Sequence, residues 1–358
     1  MEFAPRSPLI LTGAAGFIGS VLAARLAAAG RAVAAVDALG TDQRFQNLAG
    51  VPIADYCDRS EFLAALAAGR FGRPSAIVHL GACSDTTETD AAFLLRNNFE
   101  YTRSLATWCL EHGVRFVYAS SAATYGSGDA GYSDDPALLP RLRPLNAYAF
   151  SKHAFDLWAL AQGVLSGPGG ITGLKYFNVY GPNEYHKGGM RSMVLKACEQ
   201  IQSDGKVRLF QSHRSGYRDG EQTRDFLYVE DAVAITAWFL DHPEAAGIYN
   251  VGSGLARTWN DLAHAVFAAM QRSPQIDYIP MPESLRAGYQ YHTCADLSRL
   301  RAAGCGLPLR SLEQGVDRYV RDFLRAPDRY YRARCFTTSG SASAATRRGP
   351  PETAPSSG

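Results

Sequence analysis

Leu9-Ile10-Leu11-Thr12-Gly13-Ala14-Ala15-Gly16-Phe17-Ile18-Gly19 decides the reading of this chain. A short apolar run leads into glycines spaced G-x-x-G-x-x-G, and an amphipathic stretch follows. A strand, a tight turn and a helix in that order let the backbone approach a pyrophosphate, which rests on the helix N-terminus. Glycine spacing alone is weak evidence. Here Asp37 closes the next apolar run, Ala32–Asp37, where a carboxylate meets a ribose 2′-hydroxyl. That carboxylate favours NAD and repels a 2′-phosphate. Arg44 and Arg59 follow closely, and guanidinium groups bind phosphate well. These residues leave NAD and NADP both open.

Further strands are expected at Ala76–Leu80, Arg115–Ser120 and Gly173–Phe177. Helices are expected at Gly16–Ala29, Glu61–Ala68, Asp90–His112 and Tyr148–Val164. The βαβαβ order predicts an α/β fold, a Rossmann-like doubly wound parallel sheet with right-handed crossovers. Past Asn178 glycine- and proline-rich connections separate shorter elements, ending in a helix near Leu312–Leu324. The expected division is a dinucleotide-binding domain over 1–177 joined by 225–251, and a smaller C-terminal substrate domain over 178–224 and 252–330. The Ser-, Ala- and Pro-rich stretch 336–358 has too little apolar content to fold and is expected to be disordered.

A net charge of +2 gives no electrostatic case for nucleic acid or an anionic membrane. No apolar run is long enough to span a bilayer, and the first strand begins too early for a signal peptide. The seven cysteines are scattered without a CxxC pair, which fits reduced cytoplasmic thiols and no metal site.

Tyr148 and Lys152 stand four apart, on one face of the expected helix. A cation beside a phenol favours the phenolate, so Lys152 is expected to draw Tyr148 toward neutral pH as an acid/base for a hydroxyl. Only five of the 36 basic residues are lysine. A lysine kept against that bias matters where a proton must move, because arginine does not titrate near neutrality.

With Ser120-Ser121-Ala122-Ala123-Thr124-Tyr125-Gly126, these residues resemble the extended short-chain dehydrogenase/reductases. In that family the serine, here Ser121, holds the reacting oxygen near the tyrosine. Gly81-Ala82-Cys83-Ser84-Asp85-Thr86-Thr87-Glu88, Tyr176-Phe177-Asn178-Val179-Tyr180-Gly181-Pro182 and His186-Lys187-Gly188-Gly189-Met190 narrow the resemblance to the ADP-heptose 6-epimerase branch, over residues 8–325. That branch implies transient oxidation at C6″ with tightly bound NADP, NAD being the alternative, in lipopolysaccharide core heptose synthesis.

The resemblance makes Tyr148 and Lys187 two acid/bases, assisted by Ser121 and Lys152. After oxidation the ketone must turn its other face to the hydride, and its oxygen then needs a second proton carrier. For the cofactor the resemblance implies Gly13, Gly16, Phe17, Ile18, Gly19, Asp37, Ala38, Arg44, Arg59, Leu80, Gly81, Ala82, Cys83, Ser84, Asn97, Lys152, Val179 and Lys187. For an ADP-heptose nucleotide sugar it implies Asn178, Gly189, Lys196, Phe210, Gln211, Ser212, His213, Arg224 and Tyr289. It also implies a homo-oligomer, a pentamer among the forms. Departures from the pattern are Ala38 for Asn, Arg44 and Arg59 for Lys, Lys196 for His and Leu80 for Glu. Two arginines near Asp37 would screen it from a 2′-phosphate, which favours NADP.

Ala122 and Ala123 stand where nucleotide-sugar dehydratases carry an acid/base pair, and alanine can do neither job. UDP-hexose 4-epimerases share the fold without needing the His-Lys-Gly stretch. A cofactor-sensing protein without turnover would not need Ser121, Tyr148, Lys152 and Lys187 together.

Overall fold

The computed structural model describes residues 7–286 and 288–332. Its strands are β1 Leu9–Thr12, β2 Val33–Asp37, β3 Asp55–Asp58, β4 Ala76–His79, β5 Arg115–Ser121, β6 Thr172–Tyr176, β7 Asn178–Tyr180, β8 Val207–Phe210, β9 Thr223–Tyr228, β10 Gly247–Val251, β11 Ala256–Thr258 and β12 Ile276–Ile279. The helices are α1 Phe17–Ala28, α2 Arg59–Ala67, α3 Ala91–Leu94, α4 Tyr101–His112, α5 Ala147–Ala161, α6 Met193–Asp204, α7 Val229–Asp241, α8 Trp259–Ala269, α9 Glu283–Arg286, α10 Ser298–Ala302 and α11 Leu312–Tyr319.

Seven strands form one parallel sheet in the order β3-β2-β1-β4-β5-β6-β10. Strands covered on both faces read as apolar runs rather than alternations, as Leu9-Ile10-Leu11 does. Leu9 and Leu11 pack into the core on one face and Ile10 into the core on the other. From β1 the chain winds outward to β3, then returns to place β4 on the other side of β1. The strand order reverses between β1 and β4, and ligands of such sheets bind at the carboxyl ends of the strands there. The glycine turn leaves β1 at that place, and Leu80–Ser84 leaves β4 beside it.

The expected doubly wound sheet is present. It gains β3, which sequence reading did not place. The 90–112 helix is interrupted: Leu95–Glu100 widens into a π-type turn between α3 and α4. A smaller sheet, β11-β9-β7, and the parallel pair β12-β8 lie outside the main sheet. The stretch 336–358 lies outside the described residues.

Candidate active site

The glycine turn is sterically exacting. Gly13 has φ +69°, and a Cβ there would stand 2.6 Å from the Gly81 nitrogen; one on Gly19 would stand 2.0 Å from the Gly13 carbonyl oxygen. Helix α1 starts at Gly16 with no side-chain cap and no acid in its first turn. Its first N–H groups are therefore left for an anion. This open helix end fits the pyrophosphate of a dinucleotide.

The Asp37 carboxylate accepts from Ala15 N and Ala38 N, both at 2.8 Å. Burial raises its pKa, and those two hydrogen bonds oppose the rise. Arg44 Nη1 lies 3.6 Å from Asp37 Oδ1 and donates to the Ala38 carbonyl at 3.3 Å. Arg59 does not join it. Its guanidinium reaches the buried Asn97 Oδ1 and lies over the Tyr101 ring. One arginine, not two, therefore screens Asp37: Arg59 follows Asp58, the register partner of Asp37, but its guanidinium is taken up by Asn97 and Tyr101.

Asn47 ties this side together, donating to Ala15 O at 2.9 Å and Asn183 O at 3.1 Å. Asn183 donates in turn to Ser20 Oγ in α1 at 2.9 Å. The segment around Arg329–Arg332 straps both turns from outside. Tyr185 Oη donates to Arg329 O at 2.6 Å, Tyr331 N to Asn183 Oδ1 at 2.9 Å and Arg332 Nη1 to Gln46 O at 2.7 Å.

The segment Leu80–Ser84 is held from two directions. Gly81 N donates to Thr12 Oγ1, which lies 2.6 Å from His79 Nδ1. His79 Nε2 lies 2.9 Å from Thr102 Oγ1, whose own proton goes to Asn98 O. Thr102 must then accept from Nε2–H, so His79 is the neutral Nε2–H tautomer. Asn98 also accepts from Cys83 N at 2.9 Å and donates to Cys83 O and to Ser151 Oγ, each at 3.0 Å. Asn98 thus couples the segment after β4 to α5.

Asn146 caps α5 by accepting from Ala149 N at 2.8 Å, which puts Tyr148 in the first turn. Tyr148 is 9% exposed. Ser121, at the end of β5, is the side chain that acts on its phenol. Lys152 Nζ donates to Ala119 O at 2.9 Å. Burial pushes the Tyr148 phenol up, and Ser121 only partly opposes this. The expectation that Lys152 draws the phenol toward neutrality fails in this arrangement: the two share a helix face, but the long lysine stem carries its charge to β5. Burial pushes Lys152 itself down to about 8, with Asp156 opposing. Behind it Asp156 meets Lys175 Nζ at 2.8 Å and Ser120 Oγ at 2.7 Å, both fully buried partners or nearly so.

Lys187 belongs to a different element, the single turn Tyr185–Met190 between β7 and α6. Its Nζ stands over the Phe17 ring, 5.4 Å from the centroid, which brings it against the glycine turn. Burial lowers its pKa, and Glu184 opposes that. Of the remaining cofactor candidates, Ile18 lies in α1 and Val179 is half-buried in β7.

Arg224, in β9, is 7% exposed, and no carboxylate lies within ion-pair distance of it among the described residues. It is packed against Tyr289 and Trp259, 5.0 and 5.5 Å from their ring centroids, and Trp259 Nε1 donates to Tyr289 Oη at 2.9 Å. A guanidinium buried without an acid awaits an anion. Gln211, Ser212 and His213 follow Phe210 at the end of β8. Asp219 accepts from Ser212 N at 2.7 Å, and Tyr291 Oη lies 2.9 Å from His213 Nδ1. Lys196 is turned onto the Gly189 carbonyl at 2.6 Å, and Asn178 is exposed.

Sequence reading did not single out Asn47, His79, Asn98, Asn183, Glu184, Trp259 or Tyr291. Asn183 and Glu184 carried a usable signal, since both stand between the stretches Tyr176–Pro182 and His186–Met190.

The fold and this set of side chains define a nucleotide-sugar-modifying enzyme built on a dinucleotide-binding sheet. The chain belongs to the NAD dependent epimerase/dehydratase family, whose model matches residues 9–252. It is 51% identical over 321 residues to the ADP-L-glycero-D-manno-heptose-6-epimerase of Nitratidesulfovibrio vulgaris strain DP4, covering 89% of this chain and 98% of that one. It is 48% identical to the enzyme of the same name from Alkalilimnicola ehrlichii, with the same coverage of both. The solved Helicobacter pylori ADP-L-glycero-D-manno-heptose-6-epimerase superposes with a TM-score of 0.73 at 26% identity, covering 88% of this chain and 95% of that one. The Thermus thermophilus UDP-glucose 4-epimerase in complex with NAD gives 0.68 at 27% identity, covering 87% and 97%. The chain is thus an epimerase, an enzyme of the isomerase class. Among the described residues no helix is long and apolar enough to cross a membrane, and no cluster could hold a metal ion.

Proposed function

We propose that this epimerase interconverts ADP-D-glycero-β-D-manno-heptose and ADP-L-glycero-β-D-manno-heptose at C6″, with Tyr148 and Lys187 as two separate acid/bases. The carrying observation is that Lys187 comes from an element unrelated to α5, yet brings its ammonium to the glycine turn, 5.4 Å from the Phe17 ring centroid. The names of the relatives supply the substrate.

The glycine turn would hold a nicotinamide dinucleotide, which would supply a hydride acceptor and donor for C6″. The residues suited to hold it are the glycine turn, Asp37, Arg44 and Leu80–Ser84. Arg44 favours NADP. Both Asp37 oxygens are engaged by backbone N–H groups, and Arg44, paired through Nε and Nη2 with Asp42, keeps Nη1 beside them for a 2′-phosphate. Arg224, walled by Tyr289 and Trp259, holds the substrate diphosphate.

One residue takes the C6″ hydroxyl proton as the alcohol becomes a ketone. Ser121 steadies the oxygen beside Tyr148. Rotation about the exocyclic bond presents the other face of the ketone, and its oxygen leaves the first acid/base. The second residue then delivers the proton. A ring ketone held by a single tyrosine would give no work to Lys187.

Incubating the purified protein with ADP-D-glycero-β-D-manno-heptose tests this. The L-glycero isomer should accumulate to equilibrium without added reductant. No conversion, with UDP-galactose turned over instead, would make the chain a UDP-hexose 4-epimerase.

A further inference from the structure

Glu184 is a carboxylate with 1% exposure, three residues before Lys187. Its Oε1 accepts from Gly181 N at 3.3 Å and from Ser192 Oγ at 2.7 Å, and its Oε2 accepts from Ser192 N. Its own carbonyl accepts from Lys187 N at 3.1 Å, which starts the turn. One side chain therefore pins both ends of the 181–192 loop, while the same residue's backbone shapes the middle. The Gly181 end admits no side chain. That residue has φ +146°, and a Cβ would stand 2.5 Å from Val229 Cγ1.

Burying a carboxylate is costly unless its charge is met. Among the described residues no lysine or arginine forms an ion pair with Glu184. The groups facing it are Lys187 on its own turn, Lys196 on α6, and the phenols of Tyr185 and of Tyr319 on α11. Of the two lysines, Lys187 is the one that chiefly opposes the rise that burial gives the carboxyl pKa. Three N–H and O–H donors hold the carboxylate in place and, with Lys187, oppose the rise that burial gives its pKa.

We infer that Glu184 is a positioning residue for Lys187: it closes the loop that carries the lysine and supplies the negative charge that faces it. This rests on Lys187 serving as an acid/base. Removing the charge disfavours the ammonium, so Lys187 loses its proton at lower pH.

The test compares pH–rate profiles of the full-length NADP-bound protein and its Glu184→Gln, Glu184→Asp and Lys187→Met variants with the ADP-heptose substrate. Lys187→Met identifies the limb that belongs to the lysine. Glu184→Gln should move that limb to lower pH by about half a pH unit or more, leaving the other limb in place. Its kcat should fall by about tenfold, with KM little changed. Glu184→Asp keeps the charge but is too short to reach both loop ends. Its limb should stay and its kcat should fall, which keeps the proposal testable if the glutamine variant does not fold. A wild-type profile and kcat in the glutamine variant, or a wild-type kcat in the aspartate variant, would overturn the positioning role. Loss of neither limb nor rate in Lys187→Met would instead overturn the acid/base reading beneath it.

Discussion

The Lys152 ammonium donates to the Ala119 carbonyl at 2.9 Å, across the gap between α5 and β5. Four residues away on the same helix, Tyr148 is left with Ser121 as the side chain that eases its deprotonation and with a phenol raised by burial. The tyrosine therefore stands protonated in the cofactor-free protein.

This gives a direct expectation for titration. In cofactor-free protein labelled with ¹³Cζ-tyrosine, the resonance absent from Tyr148→Phe should titrate above the ordinary value of 10.0. A midpoint below it would mean that Lys152 acts on the phenol directly, as helix spacing alone suggests.

Arg224 should govern binding rather than turnover. Arg224→Ala removes charge-assisted hydrogen bonds to a diphosphate and should raise KM for the ADP-sugar on the order of 10–100-fold. Arg224→Lys should rescue only part of this, because an ammonium cannot span two phosphate oxygens. Steady-state kinetics separates the cases, and a change confined to kcat would move Arg224 out of the diphosphate site.

His79 should set part of the acid sensitivity. Burial depresses its pKa from 6.5 to about 3. The unfolded chain binds this proton before the folded one does. The stabilisation is thus complete above 6.5 and is lost as pH falls toward about 3. Urea unfolding at about pH 7 and about pH 4.5 should differ by roughly 2–3 kcal/mol more in the native protein than in His79→Gln. Equal pH slopes would show that the buried imidazole does not carry it.

The sheet was legible because its strands are covered on both sides. Runs such as Ala76-Ile77-Val78-His79 have no competing pattern, and the glycines mark where β1 ends. The strand Asp55–Asp58 escaped because acids stand at both its ends and only Cys57 is fully buried. The widened turn at Leu95–Glu100 needs no special residue, so an apolar period of a single helix ran through it. In the site, residue types were readable and their directions were not. Tyr148, Ser121 and Lys187 came from motifs. The turn of Lys152 toward Ala119, the reach of Arg59 to Asn97 and the closure of one loop by Glu184 are long-range choices of flexible side chains, which spacing along the chain cannot encode.

Two acid/bases on unrelated elements would separate this chain from any single-tyrosine epimerase. The most direct measurement is the rate at which Lys187→Met, with cofactor bound, converts ADP-D-glycero-β-D-manno-heptose to its L-glycero isomer. A loss of about 10²-fold or more is expected, comparable to that of Tyr148→Phe. Conversion by Lys187→Met at close to the native rate would contradict the two-base mechanism.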